Sequence, residues 1–350
     1  MRIEILYAKV WNVRREMPKS MSSQSLIFMG SDSIALPVLD AIRGERCGPV
    51  SIDAIYTQPD RPRGRGKKIV ANEIKLWAKK NGIPVFQPCK VGKEERLEIQ
   101  AINPSTILVM AYGHLLSQKL LDIPERGVWN LHTSLLPKYR GASPIQAAIA
   151  SGDSATGVSL MKVVRKMDAG PVLDREKTSI GKEDTALELE RKLSLINADL
   201  VERNLGRIMR GDVYPIEQRE GDATYTRKLA KNDGELDFHR PASELACRIN
   251  GLYPWPASNF EYEDAIIKVG LADFKDEQEL EGSSGEILGM GEQGLEVCCG
   301  QGILCLKRLQ RAGGKMMDAA DFLRGFELPA GGRLPSKRMS TLVASKPNGL

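Results

Sequence analysis

No stretch of the sequence approaches the ~18 consecutive apolar residues that a membrane-spanning helix needs, so the chain offers no candidate span. Histidine occurs only three times, at 114, 132 and 239, which leaves few positions for imidazole chemistry. The six cysteines (47, 89, 247, 298, 299 and 305) form no C-x-x-C pair and have no histidine close by, so no metal-binding or redox motif is spelled out. The vicinal Cys298-Cys299 pair is a poor disulfide, and reduced thiols filling core positions in a reducing compartment are expected. The segment Phe28-Met-Gly-Ser-Asp-Ser lacks the G-x-G-x-x-G spacing of a dinucleotide-binding turn, which disfavours a nicotinamide oxidoreductase. The first twenty residues carry Arg14, Arg15 and Lys19 but no continuous apolar core, so they do not spell a secretory signal. Glu4 and Glu16 count against a transit peptide, and residues 1–20 are expected to be a disordered extension, with Met21 the functional start.

What is present describes an ordinary globular composition. With 42% hydrophobic and 27% charged residues the chain can build cores, and 350 residues suggest two of them. A soluble, cytoplasmic protein is the expectation. The net charge of +5 permits a polyanionic partner without requiring one, and its distribution is more informative. Arg61-Pro-Arg-Gly-Arg-Gly-Lys-Lys68 holds five positive residues and no acid. A second basic stretch covers 307–346, whereas 261–296 is acidic.

Between 25 and 182 short apolar runs alternate with amphipathic stretches. Strands are predicted at 25–29, 52–56, 85–86, 106–110, 128–131 and 158–164. Helices are predicted at 35–43, 72–81, 94–102, 117–121 and 144–151. Such βα alternation argues for a parallel or mixed sheet covered by helices, with ligands at the carboxyl ends of its strands. A long helix over 185–209 is followed by a stretch without periodicity, 211–232, that reads as a linker. Beyond it lie a short helix (242–249) and strand-like pieces at 258–262, 265–269, 284–290, 294–298 and 303–309, which suggest a small β-barrel.

His132 closes one predicted strand, and Asn130 lies two residues before it, so in extended chain both side chains face the same way. An amide donor beside an imidazole suits acyl-type transfer: the amide stabilises a developing oxyanion and the imidazole moves protons near neutral pH. A structural histidine at a strand end is the competing reading. Asp168, in the Gly/Pro-punctuated turn Lys166-Met-Asp-Ala-Gly-Pro171, could orient that imidazole. A turn aspartate bonded to its own backbone explains it equally well.

Asn130-Leu-His132 with Ser134-Leu-Leu-Pro137, and Asp168 in an Asp-Ala-Gly-Pro turn, resemble the folate-dependent formyltransferase family. The stretches Thr57-Gln-Pro-Asp-Arg-Pro-Arg-Gly-Arg-Gly-Lys-Lys68, Tyr225-Thr-Arg-Lys-Leu-Ala-Lys231 and Tyr253-Pro-Trp-Pro256 are similar to the branch of that family that acts on charged initiator tRNA. The resemblance implies a Rossmann-like α/β formyltransferase domain over 21–209, a linker over 210–232 and a small C-terminal OB-like β-barrel over 233–345. It implies Asn130, His132 and Asp168 as the catalytic residues, Val164 standing where the tRNA-acting branch often has a further Asp. It implies folate contacts at Ser134, Leu135, Leu136 and Pro137 and, in the 110–116 segment, at Met110, Tyr112 and Gly113. It implies tRNA contacts at Arg61, Arg63, Arg65, Lys67 and Lys68, on a flexible arm, and at Arg227, Lys228 and Lys231. The implied reaction moves the formyl group of 10-formyltetrahydrofolate to the α-amine of methionyl-initiator tRNA, with no metal, by a monomeric enzyme. A sibling that formylates an amino sugar, one that hydrolyses formyl-folate, and a catalytically dead RNA-binding protein are the alternatives.

Overall fold

In the computed structural model the described residues are 24–63, 66, 68–277 and 282–347. The expected extension at 1–20, and Arg65 and Lys67, lie outside them.

In chain order the first elements are β1 (Gln24–Gly30), α1 (Leu36–Arg43), β2 (Val50–Tyr56), β3 (Arg61–Arg63), β4 (Lys68–Val70), α2 (Glu73–Lys80), β5 (Val85–Phe86), α3 (Lys93–Ile102), β6 (Thr106–Met110), α4 (Gln118–Leu121) and β7 (Val128–His132). They are followed by β8 (Arg140–Gly141), α5 (Pro144–Ala150), β9 (Ala155–Lys162), β10 (Val172–Ser179), α6 (Ala186–Arg210), β11 (Tyr225–Thr226), α7 (Ala242–Leu252), β12 (Ser258–Tyr262), β13 (Ala265–Lys275), β14 (Ile287–Gly291), β15 (Gly294–Cys298), β16 (Ile303–Arg311), β17 (Met317–Asp318), α8 (Ala319–Leu323) and β18 (Val343–Ala344). The described chain gathers into two compact units that interleave along the sequence: 24–132, 159–175 and 194–218 in one, and 133–158, 176–193 and 219–347 in the other.

The main sheet has the strand order β10-β9-β7-β6-β1-β2-β5. The β1–β2, β1–β6, β2–β5 and β6–β7 pairs are parallel, and β7–β9 is antiparallel. β1 lies inside this sheet, and Leu26, Ile27, Phe28 and Met29 are wholly buried there, as a near-continuous apolar run in a parallel strand should be. α2 begins at a polar cap: the Asn72 side chain accepts the Lys75 N–H at 2.9 Å, satisfying an orphan donor of the helix. From β1 the chain builds outward to β2 and β5, then returns to the other side through β6 and β7. The strand order therefore reverses between β1 and β6, where such sheets bind ligands. Gly30 ends β1 at this point, and a Cβ on it would lie 2.6 Å from the Met110 carbonyl oxygen, so only glycine lets β1 and β6 end side by side.

The second unit holds an antiparallel sheet with the path β12-β13-β16-β15-β14 and β17 added on β16, the OB-like unit of the sequence reading. Its core packs Phe238, Leu245, Ile249, Val269, Val297, Leu306 and Phe322 together. The same unit contains a three-stranded sheet, β18-β11-β8.

The structure departs from the sequence reading in several places. The strand expected at 158–164 is β9, 155–162, and Val164 is 37% exposed beyond its end. β10 was not predicted because its centre, Asp174-Arg-Glu-Lys177, has no apolar run; it is the edge strand, where such charges discourage further pairing. The 210–232 stretch is tied down rather than free: Ile216 bridges Val172 within the first unit, and β11 pairs with β8 and β18 within the second. The described flanks of the basic segment, expected as part of a flexible arm, are strands: β3 and β4 pair antiparallel with Arg61 opposite Val70 and Arg63 opposite Lys68.

Candidate active site

β7 carries Asn130 and His132 at the carboxyl end of the parallel part of the sheet, in register with Met161 and Ser159 of β9. Strand alternation puts both on one face. Asn130 is half-buried and His132 is 6% exposed. Past the end of β9 the chain turns at Asp168, whose φ of +49° lies in the left-handed region that aspartate tolerates better than most residues. This turn brings an Asp168 carboxylate oxygen to 3.8 Å from His132 Nδ1, with both side chains largely shielded from water. That separation is longer than a hydrogen bond of ~2.7–3.2 Å.

The turn is held from two sides. A Cβ on Gly170 would come within 1.8 Å of the Lys162 carbonyl oxygen, so the turn lies flat against the end of β9, and the Lys162 N–H donates to the Pro171 carbonyl at 2.9 Å. On another side the Gln218 side-chain amide donates to the carbonyls of Asp168 (2.9 Å) and Gly170 (2.7 Å). Gln218 belongs to no motif, and an isolated glutamine in an aperiodic stretch carries no signal from which its role could be read.

The 110–116 segment leaves β6 beside the switch point. Met110 is 1% exposed, and Gly113, with φ +75°, is exposed. Tyr112 corrects the sequence reading: its side chain is 2% exposed and joins the hydrophobic core with Ile27, Tyr56 and Ile99, so it offers a folate only its backbone. Ala111 (φ +48°) and Gly113 bracket it in left-handed conformations, turning the Tyr112 ring inward. The His114 ring meets that of Tyr112 edge-on at 4.9 Å. Burial, and then the charge of Arg61, hold the His114 pKa below its usual value, which favours the neutral imidazole.

The basic hairpin is rooted in a polar network within the same unit. Arg61 donates to Gln58 Oε1 at 2.8 Å, and Gln58 Nε2 donates to the Tyr112 carbonyl at 2.9 Å. Gln87 donates to the Gln58 carbonyl and to Asp60 (both 2.8 Å), and Lys75 pairs with Asp60 at 2.5 Å. The hairpin therefore starts from a fixed base, with Arg61 and Lys68 exposed.

The four residues after Thr133 belong to the second unit. Ser134 is wholly buried and its hydroxyl donates to the Lys138 carbonyl at 2.6 Å; Leu136 is 2% exposed, whereas Leu135 and Pro137 are partly accessible. The Leu136–Pro137 peptide is cis. Arg140, just beyond, is entirely buried and donates to Glu220 at 2.9 Å. Of the cationic residues assigned to RNA in this unit, Lys228 and Lys231 are exposed. Arg227 has a different job: its guanidinium forms two hydrogen bonds to the buried Asp233 carboxylate (2.8 and 2.7 Å) and one to the Thr341 carbonyl (3.0 Å), which leaves it little freedom to seek a phosphate.

Among the described residues no three His, Cys, Asp or Glu side chains gather in a group able to hold a metal ion, and no helix is long and apolar enough to cross a membrane.

Residues 24–204 match the formyl transferase family model, and residues 228–327 match that of the formyl transferase C-terminal domain. The methionyl-tRNA formyltransferase of Citrifermentans bemidjiense is 38% identical over 326 residues, spanning 92% of this chain and all of its own length. That of Gluconobacter oxydans is 39% identical over 88% of this chain and 99% of its own. An N-formyltransferase from Helicobacter canadensis, solved with folinic acid and dTDP-3-aminofucose, shares the fold with a TM-score of 0.60 at 18% identity, covering 81% of this chain and 99% of its own. The chain therefore belongs to the formyltransferase family, among the methionyl-tRNA formyltransferases.

Proposed function

We propose that this enzyme transfers the formyl group of 10-formyltetrahydrofolate to the α-amine of methionyl-initiator tRNA, with Asn130, His132 and Asp168 as the catalytic residues. The observation that carries the chemistry is the gathering, at the carboxyl end of β7, of an amide and an imidazole on one face with a carboxylate 3.8 Å from the imidazole. As the amine nitrogen bonds to the formyl carbon, the carbonyl oxygen gains negative charge, and Asn130 and His132 donate hydrogen bonds to it. Preorganised donors of this kind act on charge that exists only in the transition state. Cleavage of the bond from the formyl carbon to N10 of the folate then needs a proton on N10 and the loss of one from the amine. His132, oriented by Asp168, carries it.

Ser134, Leu135, Leu136 and Pro137, with Gly113 and the backbone of Met110 and Tyr112, contact the folate; Ser134, Leu136 and Met110 act by shaping the site, since their side chains are buried. Arg61, Arg63, Arg65, Lys67 and Lys68 hold the acceptor end of the tRNA through phosphate contacts, which position without reading bases. Lys228 and Lys231 add to them. In this reading 21–209 is the formyltransferase domain, 210–232 its linker and 233–345 the OB-like domain, and the protein works as a monomer in the cytoplasm.

The test is transfer of labelled formyl from 10-formyltetrahydrofolate to methionyl-initiator tRNA, with methionyl-elongator tRNA and free amino sugars in parallel. Initiator-selective transfer is expected. Transfer to a sugar, or release of free formate alone, would keep the chemistry and overturn the acceptor; no folate-dependent turnover would remove the enzyme.

The hairpin gives a separate expectation. Arg61→Ala and Lys68→Ala should each raise the KM for tRNA at 0.1 M salt, and each should lower the slope of log affinity against log salt by ~1, since one phosphate contact releases about one counterion. Equal slopes for wild type and both variants would remove the hairpin from the RNA interface.

A further inference from the structure

We infer that Gln218 is a positioning residue for formyl transfer, its side-chain amide fixing the turn that presents Asp168 to His132. The inference rests on the reading of His132 and Asp168 as reacting residues.

A left-handed conformation at a residue other than glycine costs on the order of 1 kcal/mol or more and persists only when its surroundings hold it there. Asp168 is such a residue, with φ +49°. Within the turn the Ala169 N–H donates to the Lys166 carbonyl at 3.3 Å, at the long end of the range. The carbonyls of Asp168 and Gly170 both accept from Gln218 Nε2, at 2.9 and 2.7 Å. A primary amide has two hydrogens, so one side chain spends both donors on the carbonyls that flank Ala169. The placement of Gln218 is itself determined two residues earlier, where Ile216 and Val172 exchange both backbone hydrogen bonds at 2.8 Å. A backbone ladder thus sets the glutamine, the glutamine sets the turn, and the turn sets the carboxylate.

The distance at stake is short. His132 Nδ1 and Asp168 Oδ2 stand 3.8 Å apart, some tenths of an ångström beyond hydrogen-bond reach, and catalytic hydrogen bonds of this kind tighten only with substrate present. A turn free to relax by ~1 Å would lose that closure, a displacement that typically costs ~10²-fold in rate.

Gln218→Met keeps the length of the side chain and removes both donors. It should lower kcat by ~10–100-fold while leaving the KM for 10-formyltetrahydrofolate and for methionyl-tRNA within about twofold, because the residue touches neither substrate in this reading. Its limbs in the pH profile of kcat should move as those of Asp168→Asn do. In an Asp168→Asn background Gln218→Met should have no further effect, since nothing is left for it to position. Gln218→Glu, which brings a carboxylate against two carbonyls, should be no better than Gln218→Met, and thermal unfolding of all variants reports whether the fold is intact. Wild-type kcat in Gln218→Met, or an equal loss in the presence and absence of the Asp168 carboxylate, overturns the inference. Wild-type kcat in Asp168→Asn overturns instead the reading on which it rests.

Discussion

Alanine at His132 is expected to lower kcat for formyl transfer by ~10²–10⁴-fold, the range by which a positioned acid–base group accelerates a proton transfer. The KM for methionyl-tRNA should stay within about twofold if, as proposed, the RNA is held by the basic hairpin. Alanine at Asn130 removes the proposed oxyanion donor and should cost ~10²–10³-fold, about 3–4 kcal/mol of barrier. The two residues share one strand face and one developing charge, so the double variant should be little slower than the His132 variant alone, as happens when groups act as a unit. His132 is 6% exposed, and truncating it leaves a void that alone could disturb β7. His132→Gln, of similar volume and able to donate but not to shuttle a proton at neutral pH, separates the effects. It should remain slow while unfolding at the wild-type temperature. Single-turnover rates with pre-bound methionyl-tRNA are the measurement. If His132→Gln retained a rate within tenfold of wild type, the proton-transfer role would be lost, and the imidazole would be a hydrogen-bond donor only.

How much of this is legible in the sequence differs residue by residue. β1 can be read because a parallel strand inside the sheet must be apolar on both faces, and Leu26-Ile-Phe-Met29 is. β10 cannot, because an edge strand needs no apolar run and its charges imitate a loop. The fold class, and Asn130 and His132 as a pair, follow from strand alternation and from motif. Which side chains of the 110–116 segment face inward does not: two left-handed residues turn Tyr112 into the core, and no periodicity reports such a reversal. Arg227 shows a second limit. The family resemblance implies an RNA contact there, but an aspartate six positions on claims the side chain, and only the 3₁₀ turn over Lys231–Gly234 brings the two together. Gln218 marks a third. Its contribution is two hydrogen bonds to backbone, and any backbone would serve, so the sequence around Asp168 holds no trace of it.

The partnership that claims Arg227 should be a main source of stability in the second unit, and its pH dependence has a definite sign. Asp233 is wholly buried. Burial alone would raise its carboxyl pKa, but hydrogen bonds from Arg227, the Ser340 hydroxyl and the Ala230 N–H outweigh that, and the pKa falls from 3.8 to about 2. Nearby, Arg248 donates to the Asp233 carbonyl at 3.2 and 3.0 Å and to the Ser340 carbonyl at 2.9 Å, so the cluster staples the turn after β11 to the chain just before β18. Because the folded pKa lies below the unfolded one, the contribution is complete above pH 3.8 and is lost as pH falls toward 2, amounting to about 2 kcal/mol. Asp233→Asn keeps the shape, removes the charge and turns an amide N–H toward Arg227. Leaving one partner of a shielded ion pair uncompensated typically costs ~3–5 kcal/mol, so urea unfolding at pH 7 should show a loss of that order. The difference between wild type and Asp233→Asn should then shrink as pH is lowered from 5 to 3, because over this range the carboxyl takes up its proton in the unfolded wild-type chain while it stays ionised in the fold, and that proton uptake favours unfolding. A difference that is constant across this range would mean that the cluster holds by shape and neutral hydrogen bonds, with the charge of Asp233 contributing nothing.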